Sequence, residues 1–171
     1  KMPPSELFNN VEIDLENNND QTREAAVELL TKKFSDIPFD SSNQECISIL
    51  ISRNIDKSSK VRTNVVQFGF KQLVAIKNYQ KEAKKNANQG EEAAIKSSIK
   101  KITNEVWEMV KDRIIDPAYD VRYAVMKGIY HLDVKDVKIS DEDISLRLTS
   151  EKSPEVRTIA LKVLLKLYDA K

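Results

Sequence analysis

Three stretches of this chain superimpose without a gap: Val61-Arg62-Thr63-Asn64-Val65-Val66-Gln67-Phe68, Val121-Arg122-Tyr123-Ala124-Val125-Met126-Lys127-Gly128 and Val156-Arg157-Thr158-Ile159-Ala160-Leu161-Lys162-Val163. A degenerate fourth copy opens at Thr22-Arg23-Glu24-Ala25-Ala26. Internal repetition constrains a fold more than any other sequence feature, because a short unit cannot bury its apolar face alone and has to stack on its neighbours. Counted from the Val, apolar or small residues recur at steps 0, 4, 7, 8 and 11, as in Val156, Ala160, Val163, Leu164 and Leu167. That spacing predicts an amphipathic helix.

Six residues before the Arg of each clear copy stands an acid: Asp56 before Arg62, Asp116 before Arg122 and Glu151 before Arg157. Asn17 holds the place before Arg23. Turn formers fill the interval, as in Lys57-Ser58-Ser59-Lys60 and Lys152-Ser153-Pro154-Glu155, so one helix ends there and the next is capped. Each unit therefore reads as a helical hairpin, with preceding helices over about Ser5 to Glu16, Ser42 to Asn54, Glu91 to Arg113 and Ser140 to Thr149. The expectation is an all-α, right-handed α-α superhelix of about four hairpins in a single domain over 1–171. Its units lie at about 5–35, 42–76, 91–133 and 140–169. Asp56, Arg62, Asp116, Arg122, Glu151 and Arg157 are expected to be structural ties, each Arg making a bidentate bond within its own unit or to its neighbour.

The spacing between copies is uneven. Arg23 to Arg62 is 39 residues and Arg122 to Arg157 is 35, but Arg62 to Arg122 is 60. The excess lies after Ile76 in a stretch without large aliphatics, read as a helix extension followed by a flexible polar linker at about 77–90. Lys77, Lys81, Lys84 and Lys85 make it basic, suited to a phosphate or an acidic partner, or simply to solvation.

Composition mostly excludes. The 171 residues hold one Cys, so no intrachain disulfide forms, and no Asn-x-Ser/Thr acceptor occurs, which favours an intracellular, cytoplasmic or nuclear setting. Gly69, Gly90 and Gly128 stand apart, which removes phosphate-binding glycine loops. A net charge of +1 gives no bulk attraction to polyanions. No apolar run spans a membrane, and the opening Lys1-Met2-Pro3-Pro4 does not read as a signal peptide. Cys46 and Trp107 are expected in the core. Asp141, Glu142 and Asp143 follow Ser140 at a helix start, where they favour the helix dipole. With His131 the only histidine, no nucleophile–base pair, metal shell or paired carboxylates emerge, so no enzyme, cofactor or small-molecule substrate is expected.

The second helices carry the candidate surface, opposite their apolar stripe. Steps 2, 6 and 10 give Glu24, Glu28 and Lys32; Thr63, Gln67 and Lys71; Tyr123, Lys127 and His131; and Thr158, Lys162 and Lys166. Stacked, they form a ladder, acidic at first and increasingly basic. Lys71, Tyr123, Lys127, His131, Lys162 and Lys166 are the candidate contacts to a protein partner or, alternatively, to nucleic acid.

The acid, the Val-Arg opening and the small residue that follows, as in Asp116 to Ala124, resemble the HEAT repeat. That resemblance implies a non-catalytic scaffold or adaptor whose second helices line an inner groove. Val110-Lys111-Asp112-Arg113, Asp120-Val121-Arg122-Tyr123-Ala124-Val125, the Leu132-Asp133 end and Ser153-Pro154-Glu155-Val156-Arg157 further resemble the G-type HEAT subunit of condensin. The likeness implies a chromosome-organising assembly, with Lys127, Lys162 and Lys166 as phosphate contacts; the wider repeat class also serves transport. Leu164, Leu165, Leu167 and Tyr168 exceed what one helix face can bury, so a longer solenoid or an end-on partner is expected.

Overall fold

A computed structural model describes residues 2–86 and 92–171. Eight α-helices lie in chain order: α1 (Pro4–Val11), α2 (Asp20–Ser35), α3 (Gln44–Ser52), α4 (Ser59–Lys85), α5 (Ala93–Arg113), α6 (Tyr119–His131), α7 (Asp141–Leu148) and α8 (Pro154–Asp169). They pair as four hairpins of an all-α, right-handed superhelix. The second helices α2, α4, α6 and α8 pack successively against one another, each backed by its first helix.

The first helices are less regular than the periodicity predicts. Glu12–Glu16 and Arg53–Ile55 wind as 3-10 turns, as does Ser41–Asn43 ahead of α3. The second helices start under strict local control. Asn19, Ser58 and Ser153 cap α2, α4 and α8 by accepting the amides of Thr22, Val61 and Val156. Such a cap contributes about 1 kcal/mol. Ahead of every cap, the conserved-offset side chain fixes the turn: Asn17, Asp56, Asp116 and Glu151 accept the amides of Asn19, Ser58, Ala118 and Ser153 at 2.8–2.9 Å. The core is the row of steps 0 and 4, namely Val61, Val65, Val121, Val125, Val156 and Ala160, each at most 2% exposed. Burial of one such valine contributes about 1.5–3 kcal/mol.

Arginine–carboxylate forks join neighbouring hairpins. Arg23 forks onto Asp56 with Nε and Nη2 at 2.9 and 3.1 Å, Arg62 onto Asp116 at 2.8 and 2.9 Å, and Arg122 onto Glu151 at 2.7 and 2.9 Å. The third nitrogen stays at home: Nη1 of Arg23, Arg62, Arg122 and Arg157 donates to the backbone carbonyl of Asn17, Asp56, Asp116 and Glu151. Each guanidinium thus closes its own turn and grips the next unit's carboxylate. Arg53 and Arg113 add a second donor to Asp56 and Asp116. Arg157 departs from the expectation, since it is exposed and holds only the Leu148 and Glu151 carbonyls.

Two further expectations need correction. The stretch from Lys77 to Lys85 is the last part of α4 rather than linker, because its Lys, Glu, Ala and Gln are strong helix formers with no Gly among them. The rest of the expected linker, 87–90, lies outside the described residues, as does Glu91. Cys46 is half-buried rather than enclosed, because its helix face meets the edge of the first layer; that partial burial pushes its thiol up from the ordinary value. Trp107 is buried as expected, edge-on to Phe70 at 6.3 Å. At the α8 end, Leu161, Leu165 and Tyr168 are exposed, whereas Leu164 and Leu167 pack partly against the core.

Candidate partner-binding cleft

Each second helix turns steps 2, 6 and 10 away from its core, and α4 and α6 lie side by side, so their ladders face one opening. Together with the connection after α2 they frame a cleft of about 1340 Å³. Four of the six candidate contacts line it: Lys71, Tyr123, Lys127 and His131. Lys71, Lys127 and His131 are exposed, and among the described residues neither lysine has a carboxylate within ion-pair distance. Tyr123 is 37% exposed, so part of its side chain is open to the cleft.

Lys162 and Lys166 do not join them. Lys162 is exposed on α8, beyond the cleft wall. Lys166 is a correction to the ladder: its ammonium donates to the carbonyls of Tyr130 and Leu132, both at 2.6 Å, and lies 5.5 Å over the Tyr130 ring. It closes the end of α6, where free carbonyls attract a cation. Lys77 is likewise committed, clasped between Asp133 and Asp136 of the connection after α6. Its hydrogen bond to Asp133, then that to Asp136, raise its pKa, and Asp133 is held low in return. Lys81 and Lys84 are exposed on α4, and Lys85 pairs with Glu82 one turn back.

Apolar groups floor the cleft. Phe70 presses so closely on Gly128 that a Cβ there would stand 2.1 Å from its ring. Phe39 meets Tyr79 edge-on at 5.4 Å, at the far end of the opening. Periodicity missed both. Phe39 lies in a connection, where Ile37-Pro38-Phe39 between two aspartates was the available signal. Tyr79 lies in the segment read as linker, three residues beyond Ile76 and so on the same helical face. On the wall, Asn64 accepts from Thr31 at 2.7 Å, joining α2 to α4. The Thr63 hydroxyl, also on the wall, is buried with no hydrogen-bond partner among the described residues.

The ties set the electrostatic frame beneath this wall. Burial alone would lift the Asp56 carboxyl, but hydrogen bonds from Arg23, the Ser58 amide and Arg53 outweigh it and hold the group below the carboxylate range. Asp116 is held low in the same way against its burial, by Arg62 and the Ala118 amide. The Arg122 fork lowers Glu151. Among the described residues, no group of three or more His, Cys, Asp or Glu is placed to hold a metal ion, and no helix is long and apolar enough to cross a membrane.

Residues 5–171 match the family described as Sister chromatid cohesion protein PDS5 protein. The chain belongs to that family. The match takes in all four hairpins and both walls of the cleft, and it agrees with the HEAT-repeat assignment. The likeness of the last two units to the condensin subunit rests on the residues quoted for it alone. No curated protein matches the sequence.

Proposed function

We propose that this chain is a non-catalytic HEAT-repeat scaffold that holds a segment of a protein partner in the cleft between α4 and α6, in a nuclear assembly acting in chromosome cohesion. The family match supports a protein-binding scaffold and a chromosomal setting. The cleft supports the place of binding, and one observation carries it: an apolar floor of Phe39 and Phe70 lies beside Lys71 and Lys127, neither of which has a carboxylate partner among the described residues. Apolar floors with a few convergent polar groups are what ligand clefts offer. A peptide side chain fills the floor between Phe39 and Phe70, its backbone reaches Gln67 and Asn78, and an acidic residue meets Lys71 or Lys127. The nucleic-acid alternative draws on the lysines of the second helices and the basic stretch after Ile76; of these, Lys166 is engaged by the Tyr130 and Leu132 carbonyls and Lys77 by Asp133 and Asp136, which favours the protein reading.

Photo-crosslinking tests this. A photoreactive residue at position 127 should capture a discrete partner in cells, and Tyr123→Ala or Lys71→Glu should abolish the adduct. The same group at Lys111, exposed on α5 outside the cleft, should not capture it. Equal capture from both positions would refute the reading.

A further inference from the structure

A second concavity, about 590 Å³, lies at the other end of the hairpins from the arginine ties, between the C-terminal half of α4, the N-terminal half of α5 and the connection after α6. Three separate parts of the chain send lysines to it: Lys77 and Lys81 from α4, Lys96 and Lys100 from α5, Lys135 and Lys138 from the connection. Asp133 and Asp136 are its only acids among the described residues, and both close on Lys77. Six lysines against two aspartates leave a local excess of four positive charges in a chain whose net charge is +1. The other five lysines have no carboxylate within ion-pair distance among the described residues. Bringing like charges together from three elements costs self-repulsion, which a bound anion would relieve. The Lys77 clasp keeps the connection, and so Lys135 and Lys138, pinned beside α4.

We propose that this groove is a binding site for an anionic peptide segment, its charge supplied by clustered phosphoserines or by Asp and Glu. The floor decides for a peptide over a nucleic-acid backbone. Ile99 and Trp107 lie under the lysines, 8% and 4% exposed, and offer contact to an aliphatic side chain beside the charge cluster, which a sugar-phosphate chain does not have. The groove is also short, matching a few side chains, and its two wall aspartates oppose a continuous run of phosphates. Lysine ammoniums suit this ligand because they act as mobile point charges on phosphate or carboxylate oxygens. The groove adjoins the α4–α6 cleft, with Val74, Asn78, His131 and Leu132 lining both, but its six lysines line it alone; it shares with the scaffold reading the premise that the ligand is a protein segment.

Fluorescence anisotropy on the full chain tests it, with short labelled peptides in which a leucine flanks three phosphoserines, three glutamates or three serines, and with a labelled DNA duplex. The phosphoserine and glutamate peptides should bind, the serine peptide should not, and the order of the first two identifies the source of charge. Lys96→Glu with Lys100→Glu, exposed neighbours one turn apart on α5, should weaken anionic-peptide binding roughly tenfold or more, which is about 1.4 kcal/mol. Lys135→Glu with Lys138→Glu should do the same, and Lys111→Glu, exposed on α5 outside both concavities, should have no effect. Circular dichroism confirms that each variant is folded. Equal binding of all three peptides, indifference to the α5 and connection variants, or tighter binding of the duplex at the same lysines would overturn the proposal. Loss of crosslinking at position 127 with groove binding intact would instead overturn the cleft reading and leave this one standing.

Discussion

The Arg62–Asp116 tie supports a quantitative prediction. The Asp116 side chain is fully buried, and its two oxygens accept from Arg62 at 2.8 and 2.9 Å, from Arg113 at 2.8 Å and from the Ala118 amide at 2.9 Å. Arg62 is itself only 10% exposed, so Asp116→Ala strands a guanidinium in the interior. Removing one partner of such a pair costs about 3–5 kcal/mol, because the remaining charge has lost its compensation. For a domain of this size each kcal/mol lowers the midpoint of thermal unfolding by about 2–4 °C, so the loss should be roughly 6–20 °C. Arg157→Ala is the internal control. It removes the counterpart of Arg62 at the same step of a second helix, but from an exposed position with no carboxylate partner among the described residues, and it should cost less than about 1 kcal/mol. Urea titration followed by circular dichroism measures both. The double variant Arg62→Ala with Asp116→Ala should be less destabilised than the sum of the singles, since the second change removes the stranded charge. If Asp116→Ala costs no more than Arg157→Ala, or if the two single changes add, the fork is not what joins the second hairpin to the third.

Acid should loosen the same joins. Asp56, Asp116 and Glu151 all have folded pKa values below their unfolded ones, so their stabilisation is complete above the unfolded values of about 4 and disappears as pH falls through the folded ones. The urea midpoint should hold from about pH 7 to about pH 5 and drop below about pH 4, and an Asp56→Asn, Asp116→Asn variant should show a shallower drop; equal drops would exclude these groups as the cause. Gly128→Ala should destabilise by about 1–3 kcal/mol, because its Cβ meets the Phe70 ring held by Trp107, whereas at Gly69 the nearest obstacle is the flexible methyl end of Met109, with the Val106 γ-carbons behind it at 3.3 and 3.4 Å, and Gly69→Ala should cost less than Gly128→Ala; calorimetry separates them. Lys166→Met should cost about 1–2 kcal/mol through the uncapped end of α6, while Lys162→Met stays within about 0.5 kcal/mol, and a shift of the same size in both would refute the capping role.

The architecture was legible because stacking imposes one pattern four times. The apolar steps of Val61, Val121 and Val156 and the acid six residues before each Arg are local constraints, repeated often enough to stand out. Which acid each Arg grips was not legible, since a guanidinium in the first helical turn reaches its own turn and the adjacent one equally well; only the distance between stacked helices selects the neighbour. The lining of the candidate cleft was half legible. Step counting found Lys71, Tyr123, Lys127 and His131, because outward positions on adjacent helices face one opening. It could not show that Lys166 bends back to carbonyls of the preceding helix, nor that Phe39 and Tyr79, one in a connection and one beyond the repeat, meet across the gap. Contacts set by where a chain returns in space leave no period in the sequence.

The division of labour within each guanidinium has a consequence for how such chains change. Nη1 serves the hairpin that carries it while Nε and Nη2 grip the hairpin that follows, and the Arg23–Asp56 and Arg62–Asp116 forks use the same atoms, Arg23 adding a bond from Nη2 to Asp20 of its own helix. A hairpin is thus a brick with a plug on one face and a socket on the other. Excising the brick between Asp56 and Asp116 would set Arg23 opposite an aspartate of identical local geometry, so modules can be dropped or duplicated by recombination while the mortar between them stays the same.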